Sequence, residues 1–186
     1  MKKWLVIALL ALGGCSSANQ SSQLYLLPDS QTLTEQAPKG LPTLVVRPVE
    51  FATYLNDSSL VYRTSETQLI QAKQNLWAQS LSKQVTLRVI EQLRAKQHQY
   101  WPVMMNPALS QAQQPKLQIQ IDRFNGVYTG NAEISGEWML IDKQGAIQKS
   151  ASFALLVPLQ DEGYPALVDA LAKGVNQMTN QIVEQL

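Results

Sequence analysis

One cysteine and one histidine in 186 residues remove most catalytic and metal chemistry at the outset. A lone cysteine, Cys15, can form no disulfide within the chain and supplies no Cys-x-x-Cys pair, so neither a dithiol redox motif nor a thiolate zinc site can be built from it. The lone histidine, His98, stands in Lys96-Gln97-His98-Gln99 at the end of a predicted helix. That position fits a solvated residue better than a base or a ligand, and no His-Glu-x-x-His or Walker sequence accompanies it. Charge is sparse and balanced, with 16% charged residues and a formal net charge of +1, which gives no footprint for nucleic acid. Glycine is present but poorly placed for phosphate binding: Gly126, Gly130, Gly136 and Gly145 fall in hairpins, so no glycine loop opens a helix. Long hydrophobic runs are missing as well. The nine-residue stretch Trp4 to Leu12 falls far short of the roughly 20 residues that cross a bilayer as a helix.

That short stretch has another reading. Met1-Lys2-Lys3, the apolar run and Leu12-Gly13-Gly14-Cys15 have the layout of a secretory signal peptide. Leu-Gly-Gly-Cys resembles the lipobox of bacterial lipoproteins. The resemblance implies diacylation of the Cys15 thiol, cleavage before Cys15, and acylation of the freed amine. More than one acyl chain is needed for stable attachment, since each buried methylene contributes about 0.8 kcal/mol. Ser16 stands where an aspartate would resemble the inner-membrane retention signal, so the resemblance implies the inner leaflet of the outer membrane, with the folded body in the periplasm. The chain then divides into a signal peptide at 1–14, an acylated Cys15 with a flexible tether at 15–23, and one domain at 24–186. Loss of Lys2 and Lys3 takes the formal charge to −1. A mature chain of 172 residues suits a single core, which must hold the fold without disulfides.

Along the domain, Leu24–Leu27 and Thr43–Val49 read as strands, with Pro48 near the end of the second. Phe51–Leu55 reads as a turn, and Leu60–Thr64 with Gln68–Ala72 as a hairpin. A helix is predicted over 75–96, because Trp77, Ala78, Leu81, Val85, Val89 and Leu93 share one arc. Trp101–Met105 forms a short strand and 108–115 an exposed loop. The clearest β signal follows: Leu117, Ile119 and Ile121 alternate with Gln118, Gln120 and Asp122, and the phase slips near Arg123-Phe124 as at a bulge. Ala132–Leu140 and Ile147–Val157 alternate likewise, making an antiparallel meander. A helix over 164–185 closes the chain, with Leu167, Leu171, Val175, Met178 and Ile182 on one face. The expected architecture is α+β: a two-layer sandwich with a mostly antiparallel sheet and two long helices on one face.

Candidate sites are few. Asp122, Glu133, Glu137 and Asp142 lie on the meander, where an acid/base pair or a divalent-ion site is conceivable but a solvated polar face fits better. Trp77 and Trp138 fit core packing, whereas Tyr54 and Tyr62, beside Arg63, are equally compatible with a partner surface. The terminal helix carries Asp169, Lys173, Asn176 and Glu184 opposite its apolar stripe rather than a basic band, which favours packing on the sheet over a membrane surface.

Several segments fall together in a pattern. Thr53-Tyr54-Leu55, Leu60-Val61-Tyr62-Arg63, Leu76-Trp77-Ala78-Gln79-Ser80-Leu81, Gly136-Glu137-Trp138-Met139-Leu140 and the closing Ala166-Leu167-Val168 helix, behind a lipobox, resemble the PqiC (YmbA) family of ABC-type transport auxiliary lipoproteins. The resemblance implies a non-enzymatic docking subunit of an MCE-type intermembrane lipid transport system that maintains membrane integrity. It implies a PqiB-type MCE protein as partner and a possible ring of identical subunits. No cofactor beyond the covalent lipid on Cys15 is implied, nor any nucleic acid. By membership, Tyr54, Leu55, Tyr62 and Arg63 are the candidate contact residues. A periplasmic carrier that itself binds a lipid between sheet and helices is the alternative.

Overall fold

The computed structural model describes residues 21–28, 40–97 and 99–186; Cys15, the signal peptide and His98 lie outside the described residues. Chain order is β1 (Gln23–Tyr25), β2 (Thr43–Val46), β3 (Glu50–Phe51), a 3-10 turn at Thr53–Leu55, β4 (Ser59–Arg63), β5 (Leu69–Trp77), α1 (Leu81–Lys96), β6 (Trp101–Met104), α2 (Pro107–Ser110), β7 (Lys116–Val127), β8 (Asn131–Ile141), β9 (Ile147–Pro158) and α3 (Gly163–Gln185).

The strands form one mixed sheet built around β7. The alternation in Lys116–Asp122 places Leu117, Ile119 and Ile121 fully inside. Where that alternation loses phase, the register against β8 slips between Ile121 and Arg123, so the bulge is real. Gly136 on β8 faces this bulge, and a Cβ there would fall 2.0 Å from the Gln120 carbonyl oxygen. Only a glycine permits that approach. β7, β8 and β9 are an antiparallel meander, turned at Gly130 (φ +80°) and Gly145 (φ +91°).

The N-terminal half departs from a mostly antiparallel sheet. β2, β3 and β4 lie end to end along the other edge of β7, at Lys116–Leu117, Gln120–Ile121 and Gly126–Val127, and all three run parallel to it. β1 on β5 and β6 on β2 are also parallel, whereas β4 and β5 form an antiparallel hairpin. Strands of two to five residues carry too little pattern for their direction to be read, and β2, β3 and β4 reach their places by short steps along one neighbour.

A second correction concerns the helix predicted over 75–96. Residues through Trp77 belong to β5, and α1 starts at Leu81. The ladder explains the error: Ser59 pairs with Leu76 and Val61 with Gln71, so β5 carries extra residues and its period of two is broken. Trp77 and Ala78 happen to continue the helical arc, yet the Trp77 N–H donates to Ser58 O at 2.6 Å and the Ala78 N–H to Tyr25 O at 2.9 Å. Gln23, grouped with the tether, belongs to β1 and pairs with Asn75 of β5, and the 108–115 segment begins within the short α2.

The α3 stripe is the core's backbone: Leu167, Leu171, Val175, Met178 and Ile182 are all buried. Each such side chain contributes about 1.5–3 kcal/mol. α3 lies on β8 and β9 and beside α1. The α1–α3 seam is polar, since Arg88 Nε and Gln92 Nε2 donate to Asn176 Oδ1 at 2.8 and 2.7 Å. α1 also ties down the N-terminal segments. Gln84 Oε1 accepts from the Leu27 N–H at 2.8 Å, and Thr86 Oγ1 from the Val49 N–H at 2.9 Å.

Candidate functional site

Adjacent residues on a strand point to opposite faces, and this separates the two halves of the Tyr62-Arg63 motif. Tyr62 turns to the helix side. Its hydroxyl donates to Val127 O at 3.1 Å, and its ring lies where a Cβ on Gly126 would be, 2.4 Å from Tyr62 Cδ2. Arg63 turns to the other face, where Nη2 meets Glu133 Oε2 at 3.1 Å and Nη1 stands 4.0 Å from Glu66. Arg123 Nη1 approaches the second Glu133 oxygen at 2.6 Å. Glu133 is thus a buried carboxylate between two guanidiniums, with the Asn125 amide 3.5 Å away. The hydrogen bond from Arg123 to Glu133 is the main reason the Arg123 pKa is raised above its ordinary value. Arg63 Nε is buried with no hydrogen-bond partner among the described residues.

Other side chains singled out in the sequence, and Trp101, are held by contacts of their own. Leu55 is 4% exposed and belongs to the core. Tyr54 sits on the 3-10 turn, and its hydroxyl donates to Asp122 O at 2.9 Å. Burial raises the Tyr54 pKa, opposed mainly by Arg123. Trp101 lies under the Arg94 guanidinium, 4.6 Å from the ring centroid. Asp142 accepts turn bonds from the Gln144 and Ala146 N–H groups. No group of three or more metal-ligating side chains occurs among the described residues.

What the structure brings together at Tyr62 is a pocket of about 570 Å³ between the sheet and the head of α3. Tyr62 and Ile70 form one wall, Leu159, Tyr164 and Leu167 the other, and Asp161 and Glu162 stand at the rim. At the same end of the sheet, apolar side chains face solvent: Ile70 at 46% exposure on the pocket side, Leu69 at 41% and Leu156 at 63% on the opposite face, and Tyr128 at 47%. Leu69 is paired with Arg63 and Leu156 with Glu133, while the Tyr128 N–H donates to Arg63 O, so these residues surround the ion cluster. The sequence reading missed them. Leu69, Ile70 and Leu156 are ordinary strand residues in pattern, and nothing in their spacing reports that they are exposed. The pair Asp161-Glu162 reads as an ordinary helix start.

The fold, a nine-stranded mixed sheet carrying α1 and α3, resembles that of solved structures. One crystal structure of an uncharacterized protein is 29% identical and covers 89% of this chain and 98% of its own, with a TM-score of 0.72. A crystal structure of a protein from Xanthomonas campestris, 18% identical with a TM-score of 0.67, covers 87% of this chain and 92% of its own and shares the fold. The chain belongs to the family described as the ABC-type transport auxiliary lipoprotein component, whose sequence profile matches residues 25–183. Within it, the chain is 37% identical over 188 aligned positions to the intermembrane transport lipoprotein PqiC of Escherichia coli K12, covering 100% of this chain and 98% of that protein. The PqiC of Shigella flexneri matches to the same extent. The family is one of transport components rather than enzymes. No described helix is long and apolar enough to cross a membrane.

Proposed function

We propose that this chain is an outer-membrane lipoprotein, acylated on Cys15, whose periplasmic domain docks an MCE-type (Pqi) intermembrane lipid transport system through a PqiB-type partner. The carrying observation is the group of exposed apolar side chains Leu69, Tyr128 and Leu156 around the Arg63–Glu133 pair at one end of the sheet. Exposed apolar groups gathered at one place mark interaction surfaces. Full-length similarity to intermembrane transport lipoproteins supports the system. From Cys15 to Leu24 the chain extends at most about 30 Å, which keeps the domain beside the inner leaflet and leaves the partner to come from the opposite membrane. Copies arranged as a ring would multiply the docking surface.

Co-isolation tests this reading. The lipidated protein, extracted from membranes in mild detergent, is expected to retain an MCE-domain protein. Leu156→Ser with Tyr128→Ser, a pair that adds no charge beside Glu133, is expected to lower that retention at least tenfold with little change in thermal midpoint. Wild-type protein that retains no MCE-domain protein would refute the docking role. The 570 Å³ pocket favours one second reading, a lipid carrier, because its volume lies in the range of small-molecule sites, about 300–1,000 Å³. Native mass spectrometry separates the two: a stoichiometric phospholipid on gently purified protein identifies the carrier, and its absence leaves docking.

A further inference from the structure

Four of the five residues at the start of β5, Leu69–Lys73, are exposed, and Ala72 alone is buried. β1 covers the outer edge of β5 only at Asn75, Leu76 and Trp77. The Thr64 N–H donates to Gln68 O at 2.9 Å, and hydrogen-bonded pairs in an antiparallel ladder alternate, so Tyr62 and Ile70 form the next such pair. The backbone N–H and C=O groups of Leu69 and Gln71 therefore point away from β4, to the side where no described strand lies. A strand edge with no neighbour among the described residues is a template for an added strand.

This edge adjoins the pocket, because Ile70 is a wall of it. The rim carries Asp161 and Glu162, no lysine or arginine lines the cavity, and neither carboxylate is in a salt bridge among the described residues. An apolar interior with an anionic mouth selects its occupant. A phospholipid phosphate entering there would meet two like charges. An apolar peptide side chain flanked by a cation would meet complementary ones.

We infer that the β5 edge and the adjoining pocket bind an extended peptide segment of a protein partner, which adds a strand beside Leu69–Lys73, seats one leucine- or phenylalanine-sized side chain against Tyr62, Ile70 and Leu167, and sets a lysine or arginine beside Asp161 and Glu162. The inference rests on the docking reading and names the site and chemistry of its contact. Strand addition supplies affinity through main-chain bonds, and the pocket with its acidic rim supplies selectivity.

Photocrosslinking in the full-length lipidated protein tests it, with p-benzoylphenylalanine placed at Ile70 and, separately, at Leu156, and adducts mapped by mass spectrometry. At position 70 the expected adduct is a protein segment with an apolar residue within two positions of a lysine or arginine. Asp161→Lys with Glu162→Lys is expected to lower that yield at least tenfold while the yield at position 156 changes less than twofold. Charge reversal at the head of α3 also weakens the helix, so Ile70→Asp, at an exposed strand position, is the second variant. It is expected to lower co-isolation of the MCE-domain partner at least tenfold at unchanged thermal midpoint. A lipid adduct at position 70, a segment without a basic residue, or unchanged yields and co-isolation in both variants would overturn the inference. A protein adduct at 156 with none at 70 overturns the inference and leaves docking standing. Absence of protein adducts at both positions, together with absence of co-isolation, overturns the docking reading itself.

Discussion

Arg63 separates two roles that a loss of partner capture alone would confuse, and a double-mutant cycle with Glu133 distinguishes them. Breaking a buried pair by removing one partner costs about 3–5 kcal/mol when the survivor is left uncompensated. Arg63→Met leaves Glu133 with Arg123 at 2.6 Å, whose side chain is 52% exposed, so part of the carboxylate's compensation survives. The expected loss is about 2–3 kcal/mol. Glu133→Gln is worse, because Arg63, only 16% exposed, keeps nothing closer than Glu66 at 4.0 Å. There the expected loss is about 3–4 kcal/mol. The double variant should recover part of the sum, giving a coupling energy of about 1.5–3 kcal/mol. Urea unfolding of the Cys15→Ala protein, followed by tryptophan fluorescence, measures all four corners. If Arg63→Met costs less than about 0.5 kcal/mol, the range of exposed pairs, the cluster is no structural element and Arg63 returns to the list of contact residues. If the larger values hold, capture lost on replacing Arg63 reports a weakened fold, and exposed residues such as Leu156 become the proper probes of docking.

Three further outcomes follow from the geometry. Gly136→Ala drives a Cβ into the Gln120 backbone at the bulge and should cost about 3 kcal/mol or more, whereas Gly174→Ala meets the flexible end of Ile134 at 2.2 Å and should cost about 1–2 kcal/mol; thermal unfolding showing the reverse order would refute the close-approach argument. Because burial raises the Tyr54 pKa, the folded state holds that proton more tightly than the unfolded chain. The associated stability is complete below the ordinary tyrosine value of about 10 and is lost as pH rises through the folded value. Chemical denaturation between pH 9 and 11 should therefore show a steeper decline for wild type than for Tyr54→Phe, and parallel curves would contradict it. Cys15→Ala should leave the folded domain intact and release it from the membrane fraction, as read by sedimentation; a variant that still sediments with outer membranes would contradict the anchor.

How much was legible depended on how long each pattern ran. The meander and α3 were visible because six or more residues in a row hold one period, long enough for sheet and helix phases to separate. Even the bulge at Arg123 showed as a slip in phase. β5 was misread past Ala72 because its extra residues break the period while Trp77 and Ala78 extend the arc of Leu81 and Val85. Strand direction in β2, β3 and β4 was illegible, since a pattern of two to five residues reads alike both ways. In the candidate site, family membership put Tyr62 and Arg63 on one contact surface, although strand geometry sends consecutive residues to opposite faces. The pocket depends on Leu159, Tyr164 and Leu167 arriving from nearly a hundred residues downstream, a meeting that no local pattern announces.

The end-to-end seating of β2, β3 and β4 along β7 has a consequence for the order in which the chain can assemble. Val45 waits for Lys116, and Tyr62 for Gly126, so the strand that receives them is made last of the set. Such distant pairings slow folding, because the loop must close before any contact rewards it. Before β7 is made, the first half of the domain can pair only within itself, as the β4–β5 hairpin with β1 on β5 and as β6 on β2. A protein of this topology emerges as separate strand groups, β6 with β2 and β1 with β5 and β4, and becomes one sheet only when a single late segment arrives to join them.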